Sequence, residues 1–433
     1  MAGINIRSSL QLITRIHFLP YLIILSLPLL LFGQQKKTAG CIANYPDGSI
    51  KSKGDTLAGQ KTGLWVFYFS GGIIEKEGPY FNDRKEGEWK FYSDSGKMVK
   101  SGQYFTGRKN GGWTFFYSNG SKRKESIYRN DTLDGPVDEW FPSGRKSFTG
   151  INRAGNLHGK AVWWKEKGSV EMEGFFRNGK QHGFWTYYFD SGRKASEGKL
   201  SDGLNDSTWN YYYENGNILK NGNFSGGLKN GVWTTYYENG RKEHEGSFLN
   251  GKEDGKWISW FENGQVKETG NFAAGLMDGT WEGWYEEGKK RYQSEFSGGI
   301  KNGTWKRWFP DEKSDYEALY SNGLLDGKWT AWHPDGRLKE FGNYKKGVQD
   351  GEWQFFFSDG KLYLLQNYSN ERLNGIWKEW NETGVLISEG IYRNGLKDGK
   401  WIFYNSFGKK TMKIWFVNGK KKKEKNTKRI SQR

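Results

Sequence analysis

A Trp recurs along this chain at an interval that never varies. Stepping 24 residues at a time from Trp65 reaches fifteen positions, of which thirteen are Trp; Val137 and Ala161 are the exceptions. The register runs to Trp401 without an insertion or deletion. Other columns keep step, and they are written below as offsets from this reference position. At −2 stands Gly, from Gly63 to Gly399, except for Ser207. At +7 stands Gly, from Gly72 to Gly408, except for Glu312. At +3 all fifteen residues are aromatic, and at +15 thirteen are Tyr or Phe, with Asn152 and Leu200 departing. A fixed period of this length means a repeat architecture, in which each unit buries its apolar surface only against its neighbours.

The unit reads as a β-hairpin. Trp233 to Tyr237 is a short aromatic and Thr-rich run. Asn239-Gly240 follows, a dipeptide that predicts a type I′ turn because both residues tolerate positive φ. Arg241 to Phe248 forms the return run, and Asn250-Gly251 and Asp254-Gly255 punctuate the connection to the next unit. No stretch after the N-terminal region shows sustained helical periodicity. Aromatic residues make up 17% of the chain out of 35% hydrophobic, and 61 residues are Gly. Aliphatic residues are therefore too scarce for a layered α/β enzyme.

Equivalent strands of adjacent hairpins sit ~9.6 Å apart, so a row of Trp alone would leave gaps. The Tyr or Phe at +15 fills them. The Gly at +13 (Gly174, Gly198, Gly222, Gly246, Gly270) leaves room for a neighbouring ring to lie over bare backbone. The aromatic at +3 points to the opposite face, which then carries its own aromatic row. The expected fold is all-β: an elongated single-layer array of antiparallel β-hairpin repeats, about fifteen units plus a degenerate N-terminal cap. Such a sheet has about thirty strands and extends on the order of 140 Å before curvature.

The ends differ from this pattern. Arg7 and Arg15 accompany an apolar run from Ile16 to Phe32 that stops at Gly33, the parts of a secretory signal peptide over residues 1–33. The alternative is an uncleaved anchor, which Pro20 and Pro28 oppose. Residues 34–40 read as a linker and 41–62 as a capping repeat, in which Gly48, Gly54 and Gly59 match their columns but Cys41 takes the Trp position. Cys41 in TAGC is also the candidate lipid-attachment residue of a lipoprotein. Lys36 and Lys37 before it, and Thr38 in place of Leu, oppose that reading. A single Cys excludes an internal disulfide framework. The regular array spans 63–419, and 420–433 reads as a basic disordered tail.

The formal charge is +17, but residues 1–40 carry +4 and 420–433 carry +7, which leaves +6 over 41–419. So even a balance is not that of a nucleic-acid face.

The unit Y-x-N-G-K-x-D-G-x-W-x-x-Y-Y-x-N-G-x-x-x-x-E-G resembles the MORN (membrane occupation and recognition nexus) repeat, and most of all its bacterial variant. The resemblance covers about 41–419. Asn156-Leu157-His158-Gly159 and Lys180-Gln181-His182-Gly183 carry the His-Gly of many eukaryotic copies. The resemblance implies a curved single sheet of hairpins used for protein–protein or membrane contact. Some bacterial relatives carry the antitoxin designation. An export signal departs from that role, since an antitoxin works in the cytoplasm.

No residue stands out for chemistry. His158 and His182 share the −3 column with Asp254, Asp278, Asn302 and Asp326, and read as turn residues before Gly. A Zn site needs three or four convergent ligands. The Asp column offers one carboxylate per unit, too widely spaced to share a Ca²⁺. No nucleophile elbow or P-loop appears. No catalytic residue, metal or cofactor is therefore expected. Two function classes stay open. One is an exported scaffold that binds a protein partner or the envelope surface. The other is a cell-wall or glycan-binding aromatic module. The +2 column varies from Phe67 and Tyr187 to Thr235, Ser259, Gly283, Arg307 and Ala331, which suits a broad contact surface better than a repeated small-molecule slot. The scaffold is the preferred expectation, with no small-molecule substrate.

Overall fold

The computed structural model describes residues 38–426. Among them there is no helix, and all 35 strand segments belong to one antiparallel sheet. Each strand pairs with the strands before and after it in sequence, so neighbouring hairpins continue the same ladder. Two outgoing strands are each broken in two, at Glu86 and at His158.

One unit shows how the register is set. Leu228–Tyr236 runs out and Lys242–Leu249 returns, with Trp233 opposite Gly246 and Gly231 opposite Phe248. The next outgoing strand, Lys252–Trp260, pairs Trp257 with the same Gly246. A bulge then interrupts that pairing, between Gly246 and Phe248 on one side and Trp257 and Glu253 on the other. Gly255, at −2, lies in the bulge with φ 86°. Such a bulge re-aims the strand and concentrates twist at one point per unit.

The two turns of each unit differ from the expected assignment. At Asn239-Gly240 only Gly240 enters the left-handed region, with φ 85°. The Tyr237 N–H donates to the Arg241 carbonyl at 2.8 Å, and the Gly240 N–H donates to the Tyr237 carbonyl at 2.9 Å. This is a three-residue loop, a type I turn closed by a left-handed bulge residue, and not a type I′ turn. The Asn contributes its side chain: Asn239 Oδ1 accepts the Arg241 N–H at 2.9 Å. The type I′ turn lies at the other end, where Asn250 (φ 50°) and Gly251 (φ 83°) join the paired residues Leu249 and Lys252.

The reference Trp explains the +13 Gly. A Cβ added at Gly222 would stand 2.2 Å from the Trp233 ring, and one at Gly270 would stand 2.1 Å from Trp281. Trp305, Trp329 and Trp377 face Ser294, Ala318 and Gln366, but elsewhere the indole lies on the bare backbone of the return strand before it. Its Nε1 then reaches the carbonyl ten residues earlier: Trp89 to Pro79 at 2.9 Å, Trp185 to Phe175 at 3.1 Å, Trp401 to Ile391 at 3.1 Å. Trp89, Trp113, Trp185, Trp353 and Trp401 are fully buried in this way, although the sheet is a single layer.

Where the Trp is missing, another ring takes its place. Val137 and Ala161 pack with Phe148, which stands at +11 where Lys76, Lys100 and Lys124 stand in other units. Phe148 meets Trp163 at 4.8 Å and covers Gly150.

The ends extend the array beyond the expected bounds. The first strand, Ala39–Asn44, begins inside the expected linker and pairs Cys41 with Gly54. The expected disordered tail is corrected over its first part, because Lys420–Asn426 forms a strand paired with Lys410–Val417. The backbone ladder needs only N–H and C=O groups, and the Lys side chains alternate between open sides. Lys423 Nζ also lies 5.6 Å from the Trp415 ring centroid. Residues 1–37 and 427–433, with the expected signal peptide and the rest of the tail, lie outside the described residues.

The two column exceptions keep the backbone geometry without Gly: Ser207 has φ 57° and Glu312 has φ 70°. A left-handed non-Gly residue costs about 1 kcal/mol. Ser207→Gly and Glu312→Gly are each expected to raise stability by about 1 kcal/mol, read by chemical denaturation. Gly270→Ala is expected to lose roughly 2–3 kcal/mol, because its methyl displaces the Trp281 ring. Hydrogen exchange should place that loss in the neighbouring units rather than at the two ends.

Candidate interaction surfaces

Alternation along each strand divides the side chains between two faces. On the Trp face stand the residues at −4, 0, +2, +11, +13 and +15. On the opposite face stand those at −1, +1, +3, +12, +14 and +16, with −5, which pairs with +16 of the unit before.

The Trp face carries a double ladder of rings. Tyr80 stands between Trp65 and Trp89, with centroid distances of 6.1 and 5.0 Å and near-perpendicular planes. Phe67 bridges the same two Trp rings at 5.9 and 6.2 Å with tilted planes. Edge-to-face and offset contacts of this kind add to simple burial. Lys at −4 closes the open side: Lys85 lies 4.6 Å from the Trp89 centroid, Lys229 4.6 Å from Trp233 and Lys397 4.1 Å from Trp401. Burial against the rings, followed by neighbouring ammonium groups, pushes Lys85 and Lys229 below the usual Lys value. The +2 ring is thus a rung of the ladder. Sequence reasoning treated that column only as a variable one, although its place two residues past the Trp puts it on the same face.

Where +2 loses its ring, the Trp face opens. One depression of about 350 Å³ is lined by Trp257, Ser259, Glu268 and Trp281. Another of about 600 Å³ is lined by Glu268, Tyr292, Trp305 and Arg307. Tyr292 lies across Gly283, where a Cβ would meet its ring at 2.2 Å, and its hydroxyl donates to Glu268.

The opposite face has two different halves. Toward the three-residue turns, four of the +3 rings are Tyr held by carboxylates at +12: the Tyr92 hydroxyl donates to Glu77 at 2.8 Å, Tyr188 to Glu173 at 2.9 Å, Tyr212 to Glu197 at 2.6 Å and Tyr404 to Glu389 at 2.5 Å. These rings form a row interleaved with Glu, and not a second continuous ladder. Burial, then the bond to Glu and its charge, pushes the hydroxyls of Tyr92, Tyr188, Tyr212 and Tyr404 up to about 12. A bond from Lys160 and one from Tyr188 outweigh burial and hold Glu173 below the usual carboxylate value. Toward the two-residue turns the face is apolar and open. Leu204, Leu228, Leu276, Ile300, Leu324 and Leu396 recur at −5, each about half exposed. Ile127, Ile151, Phe175, Leu319 and Ile391 at +14 and Leu64, Phe184, Val232 and Ile376 at −1 extend the same band.

The family model described as MORN repeat variant matches residues 85–105, 229–250, 253–274, 277–297, 349–370 and 373–394. The chain is a MORN-repeat protein. No curated protein matches it. Among solved structures, it is similar to the large chain in a crystal structure of TcdB2-TccC3-Cdc42, at 11% identity over 87% of this chain and 26% of that one, with a TM-score of 0.15. It is also similar to a chain of the Tc holotoxin pore of Photorhabdus luminescens, at 12% identity over 86% of this chain and 23% of that one, with a TM-score of 0.14. The MORN array thus spans about a quarter of the length of those chains, and TM-scores so low carry no inference.

The columns singled out in the sequence have these places in the MORN array. The −3 carboxylates serve the turns: Asp254 accepts the Ala274 N–H at 3.3 Å, Asp278 the Gly298 N–H at 3.1 Å and Glu86 the Thr106 N–H at 2.8 Å. His158 and His182 occupy the same column one unit apart, with their Nδ1 atoms enclosed and unpartnered. Cys41 is a partly exposed free thiol in the outermost N-terminal strand.

The Tyr–Glu row has a pH consequence. A hydroxyl whose folded value is raised stabilises the fold fully below its unfolded value and loses that contribution as pH rises through the folded one. Stability is therefore expected to fall between pH 10 and about 12, in thermal melts followed by circular dichroism. Tyr188→Phe should flatten part of that fall, and an unchanged alkaline profile would count against the row.

Proposed function

We propose that the MORN array is a non-catalytic scaffold that docks an extended protein partner along the two-residue-turn half of the face opposite the Trp ladder. The observation that supports this most directly is the exposed apolar band. The Trp face keeps its rings for its own ladder, while the −5, −1 and +14 columns leave most of the large exposed aliphatic side chains on one side of one face. Exposed aliphatic side chains recurring along one side of a face mark an interaction surface. Its rows repeat every ~9.6 Å along the stack, a spacing that fits many weak contacts to an extended chain. The −5 row is aliphatic from Leu204 onward, broken by Lys252 and Arg372, whereas before it stand Arg84, Arg108 and Lys180 among polar residues.

The Arg7/Arg15, Ile16–Phe32, Gly33 arrangement supports export, which places the partner in the envelope or outside the cell. Lipid attachment at Cys41 is the competing form of export. N-terminal sequencing of the exported protein is expected to start near Gln34. A start at Cys41 with added lipid mass would establish the lipoprotein instead.

The partner surface is tested by capture from the native envelope fraction with two series of baits. In the first, two, four or six units are removed while residues 41–62 and 390–419 are kept. Graded loss of the captured protein is expected, because avidity falls with repeat number. In the second, Leu276→Lys and Ile300→Lys are combined. These exposed positions should change stability by no more than about 0.5 kcal/mol, yet capture should drop at least tenfold. Full capture by both series would remove the band from consideration.

A further inference from the structure

Across the units of Trp233 to Trp329 the +2 column of the Trp face carries no ring, and only Tyr292 and Tyr316 at +11 partly replace it. Thr235, Ser259, Gly283, Arg307 and Ala331 stand in succession where Phe67, Phe91, Phe115, Tyr187 and Tyr211 carry rings. Met277 replaces the Lys that caps Trp233 on one side and Trp305 on the other, where Lys301 lies 4.0 Å from the centroid. The two depressions described above are the result. They adjoin, sharing Glu268 and Met277.

The same stretch contains two reference Trp residues off the usual carbonyl anchor: Trp329 donates to Glu340 at 3.0 Å, and Trp257 has no partner. Trp233 and Trp281 donate Nε1 to the carbonyls of Asn223 and Asn271, at 3.0 and 3.1 Å. Trp257 between them is shifted, so that Nε1 lies among the atoms nearest to Gly246, and that nitrogen is enclosed without a partner. The Ser259 hydroxyl, two residues on, is also enclosed without a partner. Both residues line the first depression. Two unsatisfied polar groups at one spot are unusual in a sheet this regular, and each costs stability until a partner is supplied.

The chemistry of the walls narrows the ligand. The floor is aromatic, with Phe272 standing edge-on between Trp257 and Trp281. The rim mixes an acceptor, Glu268, with donor-only cations, Lys267 and Arg291, and with the His244 imidazole, which can do either. An anion meets Glu268 in the wall common to both depressions. An aliphatic or aromatic peptide side chain covers the floor but leaves the rim groups unpaired. A sugar ring satisfies both requirements, because its C–H face stacks on an indole while its hydroxyls donate and accept around the edge.

We propose that this part of the Trp face binds a neutral oligosaccharide, one segment stacked over Trp257 and the next over Trp305, both half-buried, with Glu268 accepting from hydroxyls at their junction. The groove lies on the face opposite the protein-docking band, so the two can be occupied independently.

The test is isothermal titration of the full chain with cellotetraose and with chitotetraose. Saturable binding of at least one is expected, with a dissociation constant on the order of 0.1–1 mM. Ser259→Tyr restores the missing rung as Tyr211 supplies it, and should weaken binding at least tenfold without lowering the melting temperature. Glu268→Gln keeps the shape, removes the charge, and should weaken binding about tenfold. Leu276→Lys with Ile300→Lys, on the other face, should leave sugar binding unchanged and affect only protein capture. Absence of saturable heat with both sugars overturns the proposal, as does full binding by both Ser259→Tyr and Glu268→Gln.

Discussion

One contact organises this molecule: an indole laid on a glycine of the preceding strand, with its Nε1 bonded to the next carbonyl of that strand. The carbonyl accepting Trp89 belongs to Pro79, directly after Gly78, and the one accepting Trp401 belongs to Ile391, directly after Gly390. The contact joins one hairpin to the next, so it acts between units and not within one. It also buries a large side chain without a second layer, which a sheet of this kind lacks. The seat tolerates some variation: Trp305, Trp329 and Trp377 stand opposite Ser294, Ala318 and Gln366, and Trp305 still bonds the Glu295 carbonyl at 3.2 Å. Where Val137 and Ala161 replace Trp, the Gly pattern relaxes to Ser126 in one unit, and Phe148 covers Gly150 in the other.

The edges of the sheet are built to the same period. At one edge, the N–H of each second turn residue donates to a carbonyl of the turn before it, as Gly251 does to Lys229 at 2.8 Å. At the other, a Tyr hydroxyl at +4 reaches a carbonyl of the following unit, as Tyr237 does to Trp260 at 2.8 Å. Backbone groups left over by the hairpins are satisfied by neighbouring hairpins. Units therefore stack with both edges tied as well as the ladder packed. With stabilising contacts so uniform, local variation can be tolerated in the +2 column without loss of register.

That tolerance separates the two surfaces. The Trp face is closed where +2 carries a ring, and its two adjoining depressions lie where Ser259, Gly283 and Arg307 stand there. The opposite face divides lengthwise into a Tyr–Glu half, whose hydroxyls and carboxylates are paired, and an aliphatic half left open. A scaffold that binds an extended protein on one side and a sugar chain on the other requires no catalytic group. Both proposed surfaces arise from departures or gaps in the repeat rather than from its most regular columns.

The period, the hairpin, the single sheet and the place of the +13 Gly were all legible in the residues, because a strict 24-residue register leaves one way to align the strands. The Asn-Gly dipeptides marked turns correctly but not their types. Asn239-Gly240 and Asn250-Gly251 read alike, yet only the second has both residues left-handed. The length of the loop between paired residues decides this, and that length follows from pairing with neighbouring hairpins. The lysines of 420–426 read as disordered by charge, whereas a vacant ladder edge gave them a strand. The open band and the two adjoining depressions could not be read along the chain. Their residues lie about 24 apart and meet only when units stack, and the bulge at each −2 residue determines which side chains share a face. Sequence alone thus determined the repeat and its ladder, and tertiary stacking decided which surfaces remained free to bind.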